Sequence, residues 1–98
     1  SSDLVFTPHT TASVFLFENN DPNLSRDFLK KMGELVPADA KYAHIGDNAA
    51  AHIKSGLNGA SINLLIEDAT VILGQWQGVY LADFDGPRER EVYLKIIG

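Results

Sequence analysis

The sequence predicts an α+β fold in which two helices pack against a mostly antiparallel sheet. Three observations support this. Two apolar runs rich in β-forming residues come first, two segments with helical spacing follow, and several short apolar runs separated by turn residues come last. The 98 residues are enough for one domain and too few for two. We therefore expect a single domain spanning residues 1–98.

The first two predicted strands are Leu4 to Phe6 and Ala12 to Phe17, separated by a polar segment that contains Pro8 and His9. Short continuous apolar runs bounded by turn residues are typical of buried strands.

The first helix is predicted to begin at Pro22, because Asp21 can cap it and proline favours the first helical position. Apolar residues then recur at helical spacing up to a plausible end before Pro37, and the intervening residues are charged. The predicted apolar stripe consists of Leu24, Phe28, Met32 and Leu35.

A second, shorter helix is predicted from about Ala49 to Leu57, after a polar loop from 38 to 46. Asp47 or Asn48 can cap it. Its predicted apolar stripe is Ala49, Ile53 and Leu57.

The C-terminal third predicts antiparallel strands in two consecutive pairs, each joined by a turn. In the second pair the Asp-Gly-Pro-Arg segment 85–88 gives the turn signal of a hairpin. The predicted strands are Ile62 to Ile66, Val71 to Leu73, Trp76 to Phe84 and Glu91 to Ile97.

Composition excludes several classes of function. A net charge of −5 argues against nucleic acid as a partner, because that binding relies on basic patches. The absence of cysteine excludes disulfides and thiolate metal ligands. No apolar run is long enough for a membrane span, and no signal-peptide pattern is present, so we expect a cytoplasmic protein.

The three histidines, His9, His44 and His52, are the first candidates for chemistry. Neutral imidazole is a favoured zinc ligand, and three imidazoles with one open position suit a zinc ion that carries water. Their spacing matches no standard ligand motif, so the alternative of ordinary surface or hydrogen-bonded histidines stays open.

Glu18 ends the second apolar run and could act as a general base, or could orient a histidine. Arg88 and Arg90 could clamp a phosphate through their planar guanidinium groups, or could simply be solvated charges of a hairpin. Gln75 and Gln77 flank Trp76 at alternating positions, so their amides can share one face of a strand.

Short motifs along nearly the whole chain resemble the YjbQ-like family, also described as secondary thiamine-phosphate synthases. The ordered set comprises His9-Thr10-Thr11-Ala12, Glu18-Asn19, Asp21-Pro22, Val36-Pro37, Tyr42, His44, Asp47-Asn48, His52-Ile53-Lys54, Gly59, Ser61, Gly74, Trp76-Gln77, Asp85-Gly86-Pro87-Arg88 and Arg90.

The resemblance implies a sandwich-like core, a homotrimer and a divalent metal, usually zinc, held by the three histidines. The implied reaction joins a pyrimidine pyrophosphate to a thiazole phosphate and releases pyrophosphate. Glu18 and Arg88 would be catalytic. The residues expected to meet the substrate's phosphates are Lys54, Gln77, Arg88 and Arg90.

The sequence also departs from the family pattern. Gln75 stands where the family usually has threonine, Phe17 where it often has asparagine, and Ala69 where it commonly has glycine. Family members also carry additional N-terminal strands before the matching segment. The loss of the motif threonine at Gln75 and the short N-terminus favour a second hypothesis, a non-catalytic trimer that binds metal or a small anion.

Overall fold

The computed structural model describes all 98 residues, 1–98, as two helices and six strands. In chain order the elements are β1 Ser2–Phe6, β2 Ala12–Glu18, α1 Pro22–Leu35, α2 Ala49–Asn58, β3 Ser61–Glu67, β4 Thr70–Val71, β5 Gln77–Asp83 and β6 Tyr93–Ile97.

The strands form two sheets, and every strand pair is antiparallel. One sheet has the order β4-β3-β1-β6, and the other consists of β2 and β5. The predicted α+β class is confirmed. The predicted hairpin of the last two strands is wrong, because β5 pairs with β2 and β6 pairs with β1. The turn residues 85–88 therefore belong to a connection that crosses between sheets.

The core lies where the two sheets face each other. Val5 and Leu64 of the larger sheet and Val14 of the smaller sheet form a buried apolar cluster. Leu94 lies directly opposite Val5 on β6 and shares its face, yet 62% of its surface is exposed. The inner faces are thus covered around β1, β2 and β3, whereas β6 remains open.

Helix α1 begins as predicted. The Asp21 side chain accepts a hydrogen bond from the Asn23 N–H, and Pro22 occupies the first turn. Phe28 of the predicted stripe packs against Phe15 and Phe17, at ring-centroid distances of 5.2 and 5.3 Å. No residue of α1 is fully buried. The helix therefore packs against the β2–β5 sheet mainly through the contacts of Phe28 with Phe15 and Phe17.

Helix α2 exists as predicted, but its predicted apolar stripe is wrong at two of its three positions. Ile53 and Leu57 are exposed, and the buried residues are Ala49, Ala50, Ala51 and Ser55. The Ser55 hydroxyl donates to the Ala12 carbonyl at 2.6 Å, and the Ser13 hydroxyl donates to the Ser55 carbonyl at 3.0 Å. Small side chains allow this close approach of helix and strand. Neither α1 nor α2 has the length and apolar character that a membrane span requires.

Candidate functional site

His44 and His52 lie side by side at the start of α2. Their ring centroids are 5.4 Å apart, with the ring planes nearly perpendicular. Both rings line an open cavity of about 380 Å³ together with Tyr42 and Ile53. The Tyr42 hydroxyl donates to the Pro37 carbonyl at 2.6 Å. This hydrogen bond stabilises the loop that carries His44. Residues eight positions apart thus form one pair of imidazoles.

His9 lies beyond His52 in the same region. His9 and His52 both line a second cavity, of about 490 Å³. The Glu91 N–H donates to Nε2 of His9 at 2.8 Å, and the Thr7 hydroxyl donates to the Glu91 carbonyl at 3.0 Å. His52 therefore shares one cavity with His44 and another with His9, and His9 hydrogen-bonds to the segment that leads into β6.

The three imidazoles do not form a metal ligand set as they are arranged, since no group of three or more His, Asp or Glu side chains is placed to hold an ion. Two of the rings already have hydrogen-bond partners. Nε2 of His9 accepts the Glu91 N–H, so a neutral ring carries its proton on Nδ1 and has no free lone pair. Nε2 of His44 lies 3.1 Å from Oδ1 of Asn48. The donor chemistry suits zinc, but Nε2 of His9 is engaged by Glu91, whereas the contact of His44 with Asn48 leaves Nδ1 of His44 free.

A polar network links the histidine pair to the connection after β5. Nδ2 of Asn48 donates to Oδ2 of Asp85 at 3.1 Å, while Oδ1 of Asn48 faces His44. Nη2 of Arg88 donates to the same Asp85 oxygen at 2.9 Å, and Nε of Arg88 donates to the Asp85 carbonyl. The Arg88 side chain is 59% exposed. Asn48 and Asp85 therefore connect the His44 ring to the exposed guanidinium of Arg88.

Arg90 occupies a very different environment from Arg88. Its side chain is only 7% exposed, forms an ion pair with Asp83 and donates to Oγ1 of Thr11 at 2.9 Å. The hydrogen bond from Arg90 holds the pKa of Asp83 below its usual value of 3.8. This contact ties the connection after β5 to the segment before β2. Lys54 lies on α2, two residues after His52.

Glu18 and Gln77 pair with each other at the opposite end of the β2–β5 sheet. The Glu18 carboxylate accepts the N–H groups of Asn20 and Asp21 at 3.0 and 3.1 Å. Oε1 of Gln77 accepts the Gly74 N–H at 2.8 Å. Glu18 lies six positions after Ala12 along β2, a length of about 20 Å. Within one chain, neither residue approaches the histidines.

Sequence reasoning missed the linking roles of Asn48 and Asp85. The sequence predicts Asn48, or Asp47, as the cap of α2, yet Asn48 makes no side-chain capping hydrogen bond. The local pattern around Asp85 predicts a turn, and the family resemblance gives Asp85 no role of its own. Because the two are 37 positions apart, only the packing of α2 beside the connection after β5 brings them together.

A family model described as "UPF0047 protein YjbQ-like" matches residues 3–98 of this chain. The chain belongs to this family. It is 44% identical over 95 residues to UPF0047 protein MJ1081 of Methanocaldococcus jannaschii, covering 97% of this chain and 69% of that protein. It is 43% identical over 96 residues to UPF0047 protein YugU of Bacillus subtilis, covering 97% of this chain and 73% of that protein.

Solved structures of YjbQ-like proteins share the fold. A YjbQ/UPF0047 family protein of Clostridium acetobutylicum superposes with a TM-score of 0.95 at 45% identity, covering 98% of this chain and 74% of the other. The conserved hypothetical protein TT1486 of Thermus thermophilus gives a TM-score of 0.94 at 40% identity, covering 98% of this chain and 77% of the other. The names of these relatives state no reaction, so the family membership leaves the activity to be argued from the site.

Proposed function

We propose that this chain is a subunit of a cytoplasmic, homotrimeric transferase of the secondary thiamine-phosphate synthase type. In the proposed reaction the thiazole nitrogen attacks the methylene carbon of the pyrimidine pyrophosphate. A C–N bond forms, the C–O bond breaks, and pyrophosphate leaves with the bonding electrons. The observation that carries the proposal is the network in which Asn48 joins His44 to Asp85 and the accessible Arg88.

Arg88 is the residue best placed to meet a phosphate. Its guanidinium is exposed, and its partner Asp85 is also only partly buried, so a phosphate can replace this carboxylate with little loss. The side chain would then stabilise the charge that develops on the leaving pyrophosphate. Lys54, on the same helix as His52, is a second candidate cation. The buried ion pair of Arg90 favours a role in positioning the Arg88 segment.

A divalent ion, with zinc as the first candidate, would add charge stabilisation for the leaving group. His44 and His52 would hold it, with His9 as the third ligand once its ring is released from Glu91. Glu18 and Gln77 could support the histidine region only from another copy of the chain, because about 20 Å of strand separates them from it. In the proposed trimer, a neighbouring copy of the chain would have to bring them there.

The test supplies both precursors to purified protein and measures thiamine phosphate and pyrophosphate. We expect both products in equal amounts, and we expect His52→Ala or Arg88→Ala to lower turnover at least 100-fold, the scale of losing one charge-stabilising group. Arg26→Ala is the matched control, because Arg26 is an exposed cation on α1. Elemental analysis and solution mass check the metal and the trimer. A folded, metal-loaded trimer that forms no product would overturn the enzymatic proposal.

The second candidate is a non-catalytic trimer that binds a metal or a small anion. The engagement of His9 with Glu91 and of Arg90 with Asp83 favours it, because both side chains already have structural partners. This candidate predicts stoichiometric metal or phosphate binding without turnover. Calorimetric titration with zinc and with inorganic phosphate, beside the turnover assay, separates the two functions.

A further inference from the structure

The carboxylate of Asp83, the last residue of β5, contacts the backbone of the segment that carries Arg88. Asp83 pairs with Ala12 in the β2–β5 register, so its side chain lies on the same sheet face as the buried Val14. Nη2 of Arg90, whose side chain is also buried, donates to Oδ1 of Asp83. The carboxylate is therefore held in place from the side of the core.

The backbone after β5 packs closely against this carboxylate. Oδ1 of Asp83 also accepts the Asp85 N–H at 3.2 Å. A Cβ at Gly86 would clash with Oδ2 of Asp83 and would lie 2.7 Å from its Cγ. Because Arg90 and the Asp85 N–H both hold the carboxylate, it is not free to move aside. Only glycine therefore allows the chain to approach Asp83 so closely at position 86.

The segment after β5 binds the ionised form of Asp83. The hydrogen bond from Arg90 is the main cause of the lowered pKa of Asp83, against the opposing effect of burial. The backbone N–H groups of Asp85 and Arg88 lower this pKa further. The carboxylate is therefore charged near neutral pH, and its charge strengthens the hydrogen bonds that it accepts from both ends of the turn 85–88.

The backbone of Asp85 connects Asp83 to the guanidinium of Arg88. The Asp85 N–H donates to Asp83, and the Asp85 carbonyl accepts Nε of Arg88 at 2.9 Å. An exposed arginine side chain has many rotamers, and ordering it on binding costs free energy. When a phosphate replaces the Asp85 carboxylate at Nη2 of Arg88, Nε can keep its bond to the Asp85 carbonyl. The direction of the guanidinium thus depends on where the Asp85 backbone is held.

We infer that Asp83 is a positioning residue for Arg88, because it holds the backbone of the turn 85–88 so that the guanidinium is presented to a phosphate. Asp83 does not itself contact the phosphate. Arg88 meets a phosphate only under the proposed function, so the inference rests on that proposal. Binding of inorganic pyrophosphate is an equilibrium property, so it is measured independently of turnover.

The first test is Asp83→Asn, measured by calorimetric titration of the full chain with inorganic pyrophosphate. Asparagine keeps the shape of the side chain and removes its charge. We expect pyrophosphate to bind about tenfold more weakly, the scale of losing one hydrogen bond to a charged group. A plain charge effect has the opposite sign, because removing a nearby negative charge strengthens the binding of an anion. Asp27→Asn, the same change at an exposed position of α1, should leave the affinity unchanged.

A double-mutant cycle with Arg88→Ala distinguishes positioning from a general structural role. Arg88→Ala alone should weaken pyrophosphate binding by at least about tenfold. Because Asp83 acts through Arg88, adding Asp83→Asn to Arg88→Ala should change the affinity by less than about twofold. Circular dichroism at the temperature of the titration checks that each variant is folded.

Gly86→Ala tests the same contact without a change of charge. The added Cβ pushes the turn away from the Asp83 carboxylate and should weaken pyrophosphate binding about fivefold. In an Asp83→Ala background the carboxylate is absent, so Gly86→Ala should weaken binding by less than about twofold more. Gly33→Ala is the matched control, because a Cβ at Gly33 meets no atom within 4 Å.

Unchanged or stronger pyrophosphate binding in both Asp83→Asn and Gly86→Ala would overturn the inference. Losses of equal size with and without Arg88 would also overturn it, because Asp83 would then support the fold and not the guanidinium. So would an unmodified chain that binds no pyrophosphate, even if the protein makes thiamine phosphate. Weaker binding that depends on Arg88 would support the inference even in a protein without turnover, where only the proposed reaction fails.

Discussion

The two helices show how side-chain size decides how closely a helix packs. Helix α1 has a strong cap and the clearer amphipathic pattern, yet none of its 14 residues is fully buried. Helix α2 is shorter and rich in alanine, and four of its ten residues are buried. Phenylalanine and leucine hold α1 away from the sheet and leave a cavity, whereas alanine and serine let α2 hydrogen-bond to β2. Amphipathicity therefore predicts a helix better than it predicts depth of burial.

The largest effect is expected from enlarging the closest contact of α2. Ser55→Leu should lower the free energy of unfolding by about 3 kcal/mol, because it overpacks the helix–strand interface and removes the bond to the Ala12 carbonyl. Urea unfolding followed by circular dichroism measures this change.

The matched control is Leu57→Ala on the same helix. Leu57 is 64% exposed, so we expect a loss below about 1 kcal/mol. If Ser55→Leu cost no more than this control, the close packing of α2 would not be a main source of stability.

A smaller loss is expected from the principal contact of α1. Phe28→Ala removes ring contacts with Phe15 and Phe17 and should cost about 2 kcal/mol, less than a fully buried phenylalanine would. Leu35→Ala, at the exposed end of α1, should change stability by about 0.5 kcal/mol. A Phe28→Ala loss above that of Ser55→Leu would reverse the ranking of the two helices.

Acid should weaken the link between the connection after β5 and the segment before β2, because that link depends on Asp83. Its folded-state pKa lies below 3.8, so its ion pair with Arg90 stabilises the fold above the unfolded-state pKa. This contribution is lost as pH falls from about 4 through the folded-state pKa. Thermal unfolding between about pH 2 and pH 6 should therefore show a steeper acid loss in the unmodified chain than in Asp83→Asn. Parallel curves would contradict the assigned role of Asp83.

The local sequence pattern was sufficient to predict the helices, most of the strands and the fold class. Asp21 and Pro22 define where α1 begins, and β-rich runs define β1, β2 and β3. Strand pairing was harder to predict from the sequence. The turn residues 85–88 favour a hairpin of β5 and β6, whereas in the structure β6 pairs with β1, at the other end of the chain. A local turn signal indicates a change of direction and does not determine which strand becomes the partner.

The candidate site was predictable only in part, for a related reason. The histidines were identified by residue type, but which of them pair depends on how the loop before α2 folds. Asn48 and Asp85 matter because their side chains hydrogen-bond to each other. They lie 37 positions apart in the sequence, so no local motif could predict this contact. Glu18 carries a carboxylate suited to chemistry, but the length of β2 places it at the far end of the sheet.

The smallest predicted effect distinguishes the helices by how they open. Gly33 and Gly56 lie in the last turns of α1 and α2, and a Cβ at either position would meet no atom within 4 Å. Replacing either with alanine should therefore favour its helix by about 0.5 kcal/mol through backbone entropy alone. Because α1 is held by few buried contacts, Gly33→Ala should mainly slow local hydrogen exchange within α1. Gly56→Ala should instead raise the global unfolding midpoint, since α2 opens only when the closely packed interface with β2 is lost. Similar exchange protection across the whole chain in both variants would show that α1 is as firmly held as α2.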